Sequence, residues 1–160
     1  DLIEKDDLAH TFEHSIEVQL PFLQAMQKAF RIVPIVMGSA DHRAYKDLGL
    51  QIARTINDLK LSSAAMMIAS SDMTHYEPHD SAKEKDYKAI DAILKLDEDM
   101  LLKNIMRFDI SMCGYAPTYA MIVAAKELGA KGARLVKYQT SAEASGDYSS
   151  VVGYAGIIVS

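Results

Sequence analysis

The run Ala64-Ala65-Met66-Met67-Ile68-Ala69 constrains this chain more than any other stretch. It is apolar at every position, the pattern of a strand covered on both faces in a sheet flanked by helices. It then breaks into the polar loop Ser70-Ser71-Asp72-Met73-Thr74-His75-Tyr76-Glu77-Pro78-His79. In open α/β sheets, ligands gather at the carboxyl ends of strands. Asp72 and His75 leave the run at such an end. An aspartate can fix the tautomer of an imidazole, and that imidazole can then move a proton. On pattern alone the bland alternative stays open, with Asp72 capping the loop and His75 exposed.

The remaining elements alternate between helix and strand. Residues 1–11 are charged and weakly periodic, a loop. Phe12, Ile16, Leu20, Leu23, Met26 and Phe30 recur at helical spacing, and Pro21 predicts a kink or a late helix start. Arg31–Met37 is a β-branched run ending at Gly38, a strand in which Pro34 suggests an edge or a bulge. Helices are predicted over 43–59, 81–95 and 97–107, the last starting at Asp97. A turn at Ser111–Pro117 feeds a long apolar helix that ends near Gly129. Strands follow over 133–139 and 151–159, joined by a Ser/Gly/Asp loop. This order predicts an α/β sandwich with a mixed, largely buried sheet. With 160 residues, 49% of them hydrophobic, the chain fits one domain.

Two further stretches could carry chemistry. Ala9–Leu23 packs His10, Glu13, His14, Ser15 and Glu17 ahead of an apolar segment. Ser15 and Glu17 suit a helix start, with Ser15 as the cap and Glu17 in the first turn. The histidines do not need to be there for that purpose, so the stretch reads as half of a metal site. His10 to His14 also spell H-x-x-E-H, a pattern of helical zinc peptidases, although no third ligand follows on a later helix. Cys113 precedes Gly114 and Pro117 at a helix start. Helix N-termini favour thiolates, the form that binds metals or attacks carbon, whereas a lone cysteine is more often a small buried hydrophobe. A third arrangement is a cysteine hydrolase built from Cys113, His75 and Asp72. His42 and His79 are expected at the surface. Tyr76, Tyr115, Tyr148 and Tyr154 are expected to pack, three of them beside the candidate loops.

The net charge of −5 and the absence of a Lys/Arg cluster argue against nucleic acid as partner. No apolar run approaches the roughly 20 residues of a membrane span, and no signal peptide opens the chain. Cys113 is the single cysteine, which points to a reducing cytoplasm. The chain opens at Asp1 in an acidic segment and reads as a part of something longer.

Four pieces in order carry a resemblance: Glu13-His14-Ser15-Ile16-Glu17 with Leu20-Pro21, Ser70-Ser71-Asp72-x-x-His75, Cys113-Gly114 before Pro117, and Val152-x-Tyr154-Ala155-Gly156. Together they resemble the MEMO family, whose microbial members are protein B of the AmmeMemoRadiSam set. The resemblance implies the α/β/α sandwich of class III extradiol dioxygenases. It implies His14 and Cys113 as metal ligands, His75 in the place of the acid/base histidine, and Asp72 beside the metal. The implied metal is iron or copper, with zinc as a competitor. The implied activity is dioxygenase-like redox chemistry on an unknown substrate, or else a non-enzymatic module that binds a peptide, a phosphopeptide or a metal. The partner is then a small molecule or a peptide, with self-association allowed. Extradiol enzymes hold iron with two histidines and a carboxylate, and Cys113 replaces that carboxylate, so ring cleavage does not follow from the fold. The family carries a further histidine ligand upstream of Glu13. Residues 1–160 are therefore expected to form a MEMO-like domain incomplete at its N-terminus, lacking the first strands and leaving a sheet edge uncovered.

Overall fold

A computed structural model describes residues 3–27, 29–38 and 40–160. Residues 1 and 2 of the expected N-terminal loop, and Lys28 within the expected 12–30 helix, lie outside the described residues. The described chain mixes helices with a small sheet, an α/β fold.

The N-terminal quarter is mostly irregular. A single 3-10 turn covers Leu8–His10, another covers Glu17–Gln19, and helix α1 runs only over Leu20–Met26. The late start follows from Pro21, which lies in the first turn, where a missing N–H costs nothing. Helix α2 (His42–Asp58) begins where the Asp41 carboxylate accepts from the Arg43 N–H at 2.9 Å. It turns Tyr45, Leu48, Gly49 and Ala53 inward.

Helix α5 (Tyr115–Glu127) receives that face. It is buried nearly all round, with Ala116, Tyr119, Ala120, Ile122 and Val123 inside, so it serves as the central rod of the molecule. Gly49 is the point of closest approach. A Cβ there would sit 2.5 Å from the Ala120 carbonyl oxygen and 2.8 Å from the Val123 Cβ. Alanine in a helix interior normally gains about 1 kcal/mol over glycine. Here the obstacle is the backbone of a packed helix, and overpacking of that kind costs about 1–3 kcal/mol. Gly49→Ala is therefore expected to lower the urea midpoint. A raised midpoint would mean that α2 can slide away from α5.

On the other side of α5 lie α3 (His79–Leu94) and α4 (Glu98–Phe108). Asp97 caps α4 by accepting from the Met100 N–H at 2.8 Å, and Asp109 ends it in the left-handed region at φ 49°. Lys126 of α5 reaches Glu98 of α4 at 2.6 Å. Ile90, Ile93, Leu101, Ile105, Ile110, Met112 and Ile122 form the main core.

The sheet closes that core from below. Its strands are β1 (His75–Glu77), β2 (Ala133–Thr140) and β3 (Val151–Val159), in the order β1-β3-β2, all antiparallel; a short helix, α6 (Ala142–Ser145), lies between β2 and β3. Leu135, Tyr138, Ala155, Ile157 and Val159 face the core. The register of β2 against β3 shifts between Leu135 and Lys137, a β-bulge.

Two sequence expectations are corrected. Residues 31–37 and 64–69, expected as strands, are extended but belong to no ladder among the described residues. Met66 is 73% exposed and Val33 86% exposed, so neither run is buried on two faces. A strand exists only through a neighbour's backbone, and no described segment supplies one. The parallel pairings of a mixed sheet are accordingly absent among the described residues. Among those residues, no helix is long and apolar enough to cross a membrane.

Candidate metal centre

The polar loop after residue 69 is held from three sides. The Met73 N–H donates to the Gly153 carbonyl and the Gly153 N–H donates to the Thr74 carbonyl, both at 2.9 Å, so β3 fixes one edge. Asp86 of α3, fully buried, accepts from the Thr74 N–H at 2.8 Å and from the Tyr138 hydroxyl at 2.9 Å. Burial pushes the Asp86 pKa up, against the pull of the hydrogen bonds from Thr74 and Tyr138. Asp86 lies in the apolar row Ala82, Ala89, Ile90, Ile93 of its helix. That spacing was the available signal for it, and reading charged residues as surface missed it.

The third anchor is the start of α5. The Gly114 N–H donates to the Ser71 hydroxyl at 2.8 Å. A Cβ at Gly114 would meet the Ser71 Cβ at 2.5 Å and the Ser70 carbonyl at 2.6 Å. Glycine thus lets the helix start press against residues 70–72 and brings Cys113 onto the loop. The Cys113 Sγ accepts from the Asp72 N–H at 3.3 Å, with the Ser71 hydroxyl 3.8 Å away. Cys113 is exposed, unlike the buried cysteine that its lone occurrence would favour.

His75 is oriented by Ser111. Its backbone N–H donates to the Ser111 hydroxyl at 2.8 Å, and its Nδ1 lies 2.7 Å from the Ser111 carbonyl. A carbonyl can only accept, so Nδ1 carries the hydrogen. This leaves the Nε2 lone pair free in the neutral ring, facing the Asp72 carboxylate at 3.5 Å. Tyr76, the next residue, is held at φ 58° with 79% of its surface exposed. A non-glycine residue in that region is strained, and such strain concentrates at functional sites.

Asp72, His75 and Cys113 thus bring one ligand atom each within 4.8 Å of one another. His14 lines the same open cavity of about 810 Å3 as Asp72 and Cys113, but it is outside that close group. Its Nδ1 is 2.9 Å from the exposed Glu17 carboxylate. The H-x-x-E-H pattern is not carried by a helix. His10 lies in a 3-10 turn and Glu13 and His14 lie outside any helix, so the two histidines do not share a helical face. The zinc-peptidase arrangement therefore fails. The cysteine-hydrolase arrangement also lacks its key contact, because Cys113 makes no hydrogen bond to His75 among the described residues. His42 is exposed as expected, whereas His79 is half-buried against Thr140 and Tyr148.

The Asp72 carboxylate and the Cys113 sulfur, both lining an open cavity, and the His75 imidazole beside them form a donor set that suits a transition metal. Fold and site together define an α/β protein with an Asp-His-Cys cluster at the mouth of a loop and helix start. The chain belongs to the Memo-like family, whose model matches residues 1–158. It is 49% identical over 155 residues to a MEMO1 family protein of Methanopyrus kandleri, covering 96% of this chain and 54% of that protein. It is 47% identical over 161 residues to a MEMO1 family protein of Methanosarcina acetivorans, covering 99% of this chain and 59% of that protein. A MEMO1 family protein of Methanocaldococcus jannaschii is 45% identical over 163 residues, 99% of this chain and 56% of its own length. The chain spans a little over half the length of these relatives.

Proposed function

We propose that this chain contributes the core of a transition-metal site in a redox protein of dioxygenase type. The observation that supports it is the close grouping of Asp72, His75 and Cys113. Cys113 is the anchoring ligand, presented one residue ahead of the Gly114 cap of α5 and steadied by the Asp72 N–H. His14 is the ligand from the facing wall, reached once its imidazole leaves Glu17. Asp72 supports the metal side of the site. His75, with Nδ1–H committed to Ser111, uses Nε2, which faces Asp72, to accept or return a proton. A thiolate ligand favours iron or copper(I) over the harder cations, with zinc competing. When bound, iron or copper would supply redox chemistry. The ligand is a small molecule or a peptide, and the site of action is the cytoplasm.

The test is metal content after anaerobic loading with iron(II) or copper(I). Cys113→Ser is expected to retain less than a tenth of the wild-type occupancy, and His14→Ala to fall well below wild type. Wild-type occupancy in both variants would sink the assignment. The second reading is a binding module without turnover, which the wide opening of the cavity favours. Oxygen uptake by the iron-loaded protein with a panel of catechols separates the two. Sustained uptake excludes the pure binder.

A further inference from the structure

We propose that Lys137, Gln139 and Tyr154 form an anion-binding subsite that holds a carboxylate or phosphate group of the ligand, in the cavity that Asp72 and Cys113 also line. All three residues line the same cavity as Asp72 and Cys113.

The bulge in β2 is the first support. Side chains along a strand alternate between faces. Leu135 faces the core, so unbroken alternation would send Lys137 into the core as well. The register shift between Leu135 and Lys137 resets the alternation. Tyr138 then faces the core and reaches Asp86, while Lys137 and Gln139 turn to the cavity. Bulges commonly re-aim a side chain beside a site. The bulge here exchanges a buried lysine for one placed at the cavity wall.

The second support is the pattern of unmet bonding capacity. Lys85, Lys88, Lys95 and Lys126 each hold a carboxylate at 2.6 Å, whereas Lys5, Lys46, Lys60, Lys83, Lys103 and Lys131 hold none among the described residues and lie outside this cavity. Lys137 has no ion-pair partner among the described residues, and it is the one Lys or Arg lining this cavity. Neither the Gln139 amide nor the Tyr154 hydroxyl has a hydrogen-bond partner among the described residues. Burial, then the nearby Asp72 carboxylate and Tyr76, raise the Tyr154 pKa, so its hydroxyl stays a donor.

The register completes the arrangement. Gln139 lies directly opposite Tyr154, and Lys137 lies opposite Gly156. Gly156 lines the cavity too and brings no side chain into it. One cation and two neutral donors on one strand pair match an acid group. A ligand in the cavity would place its acid group on Lys137, the one Lys or Arg among the described residues that lines it, and leave its remaining atoms towards Asp72 and Cys113. That orientation rests on the metal reading above, while the subsite itself rests on the sheet.

The test uses the 15N-labelled full chain, titrated by NMR with inorganic phosphate and, separately, with acetate. The expected result is saturable shifts at the amides of residues 137, 139 and 154, in at least one of the two titrations. Lys137→Met, which keeps most of the aliphatic stem, should weaken that binding at least tenfold. Lys137→Arg should stay within about threefold of wild type. Whichever anion binds more tightly identifies the acid group. Binding unchanged in Lys137→Met, or shifts that map away from β2 and β3, would overturn the subsite. Cys113→Ser separates the two claims. If it loses metal while Lys137→Met binds both anions normally, the subsite alone falls. If it keeps metal while Lys137→Met loses the anion, only the metal reading falls.

Discussion

Gly153→Ala is expected to unfold this protein at markedly lower urea, by about 3 kcal/mol of lost stability or more. A Cβ at position 153 would overlap the Asp86 Oδ2 and press on the Met73 Cβ at 3.1 Å. Neither partner can retreat cheaply. Asp86 is committed to the Thr74 N–H and the Tyr138 hydroxyl, and Gly153 is pinned by two backbone bonds to Met73 and Thr74. Simple overpacking costs about 1–3 kcal/mol, and stranding a buried donor adds about 1–3 kcal/mol. With a urea slope of about 1–3 kcal/mol/M, the midpoint should fall by about 1 M or more. The same displacement should disturb Asp72 and His75, which bracket the pinned residues, so any metal taken up at the proposed site should be lost at urea concentrations far below the midpoint. A midpoint within experimental scatter of wild type would show that β3 can step aside.

Asp86→Ala should be comparably severe, costing about 2–4 kcal/mol, because it strands the Thr74 N–H and opens space under the loop. Asp86→Asn is the more informative change, and its effect should depend on pH. Asn can still accept from the Thr74 N–H, and its amide can donate to the Tyr138 oxygen. Burial raises the folded-state pKa of Asp86 above the unfolded one, so the folded chain binds that proton more tightly. The charge on Asp86 therefore costs stability above the folded pKa. That cost fades as pH falls through it towards the ordinary carboxylate range. Asn carries no charge at any pH. The stability of wild type relative to Asp86→Asn should improve between pH 7 and pH 4.5. Other carboxylates behave oppositely, such as Glu77, where Lys85 and Ser81 outweigh burial, but they are common to both proteins. Urea melts at the two pH values read the difference directly. A trend of the opposite sign would mean that the hydrogen bonds to Asp86 outweigh its burial.

The helices α2 and α4 were legible because their apolar faces and their starts are written locally. Asp97 caps its helix within three residues, and Tyr45, Leu48 and Ile56 repeat at helical spacing. The strands β2 and β3 were legible for the same kind of reason, since each finds its partner in the other. The runs at 31–37 and 64–69 carry equally strong strand composition, yet composition cannot provide a neighbour. At the site, Asp72, His75 and Cys113 stood out because polar residues interrupt apolar runs at an expected ligand position. His14 stood out in the same way, but its present partner is Glu17, three residues away. Lys137 was invisible, because one extra residue in a ladder reverses every facing beyond it and leaves no mark in the sequence.

Those two unladdered runs also bear on how the molecule behaves in a crowded solution. Residues 64–69 and 31–37 expose Met66, Ile68, Ile32 and Val33, and their backbone joins no ladder among the described residues. Backbone in that state is a template on which any other extended peptide can dock. Lysine substituted for Met66 or Val33 would blunt that template without touching the buried core.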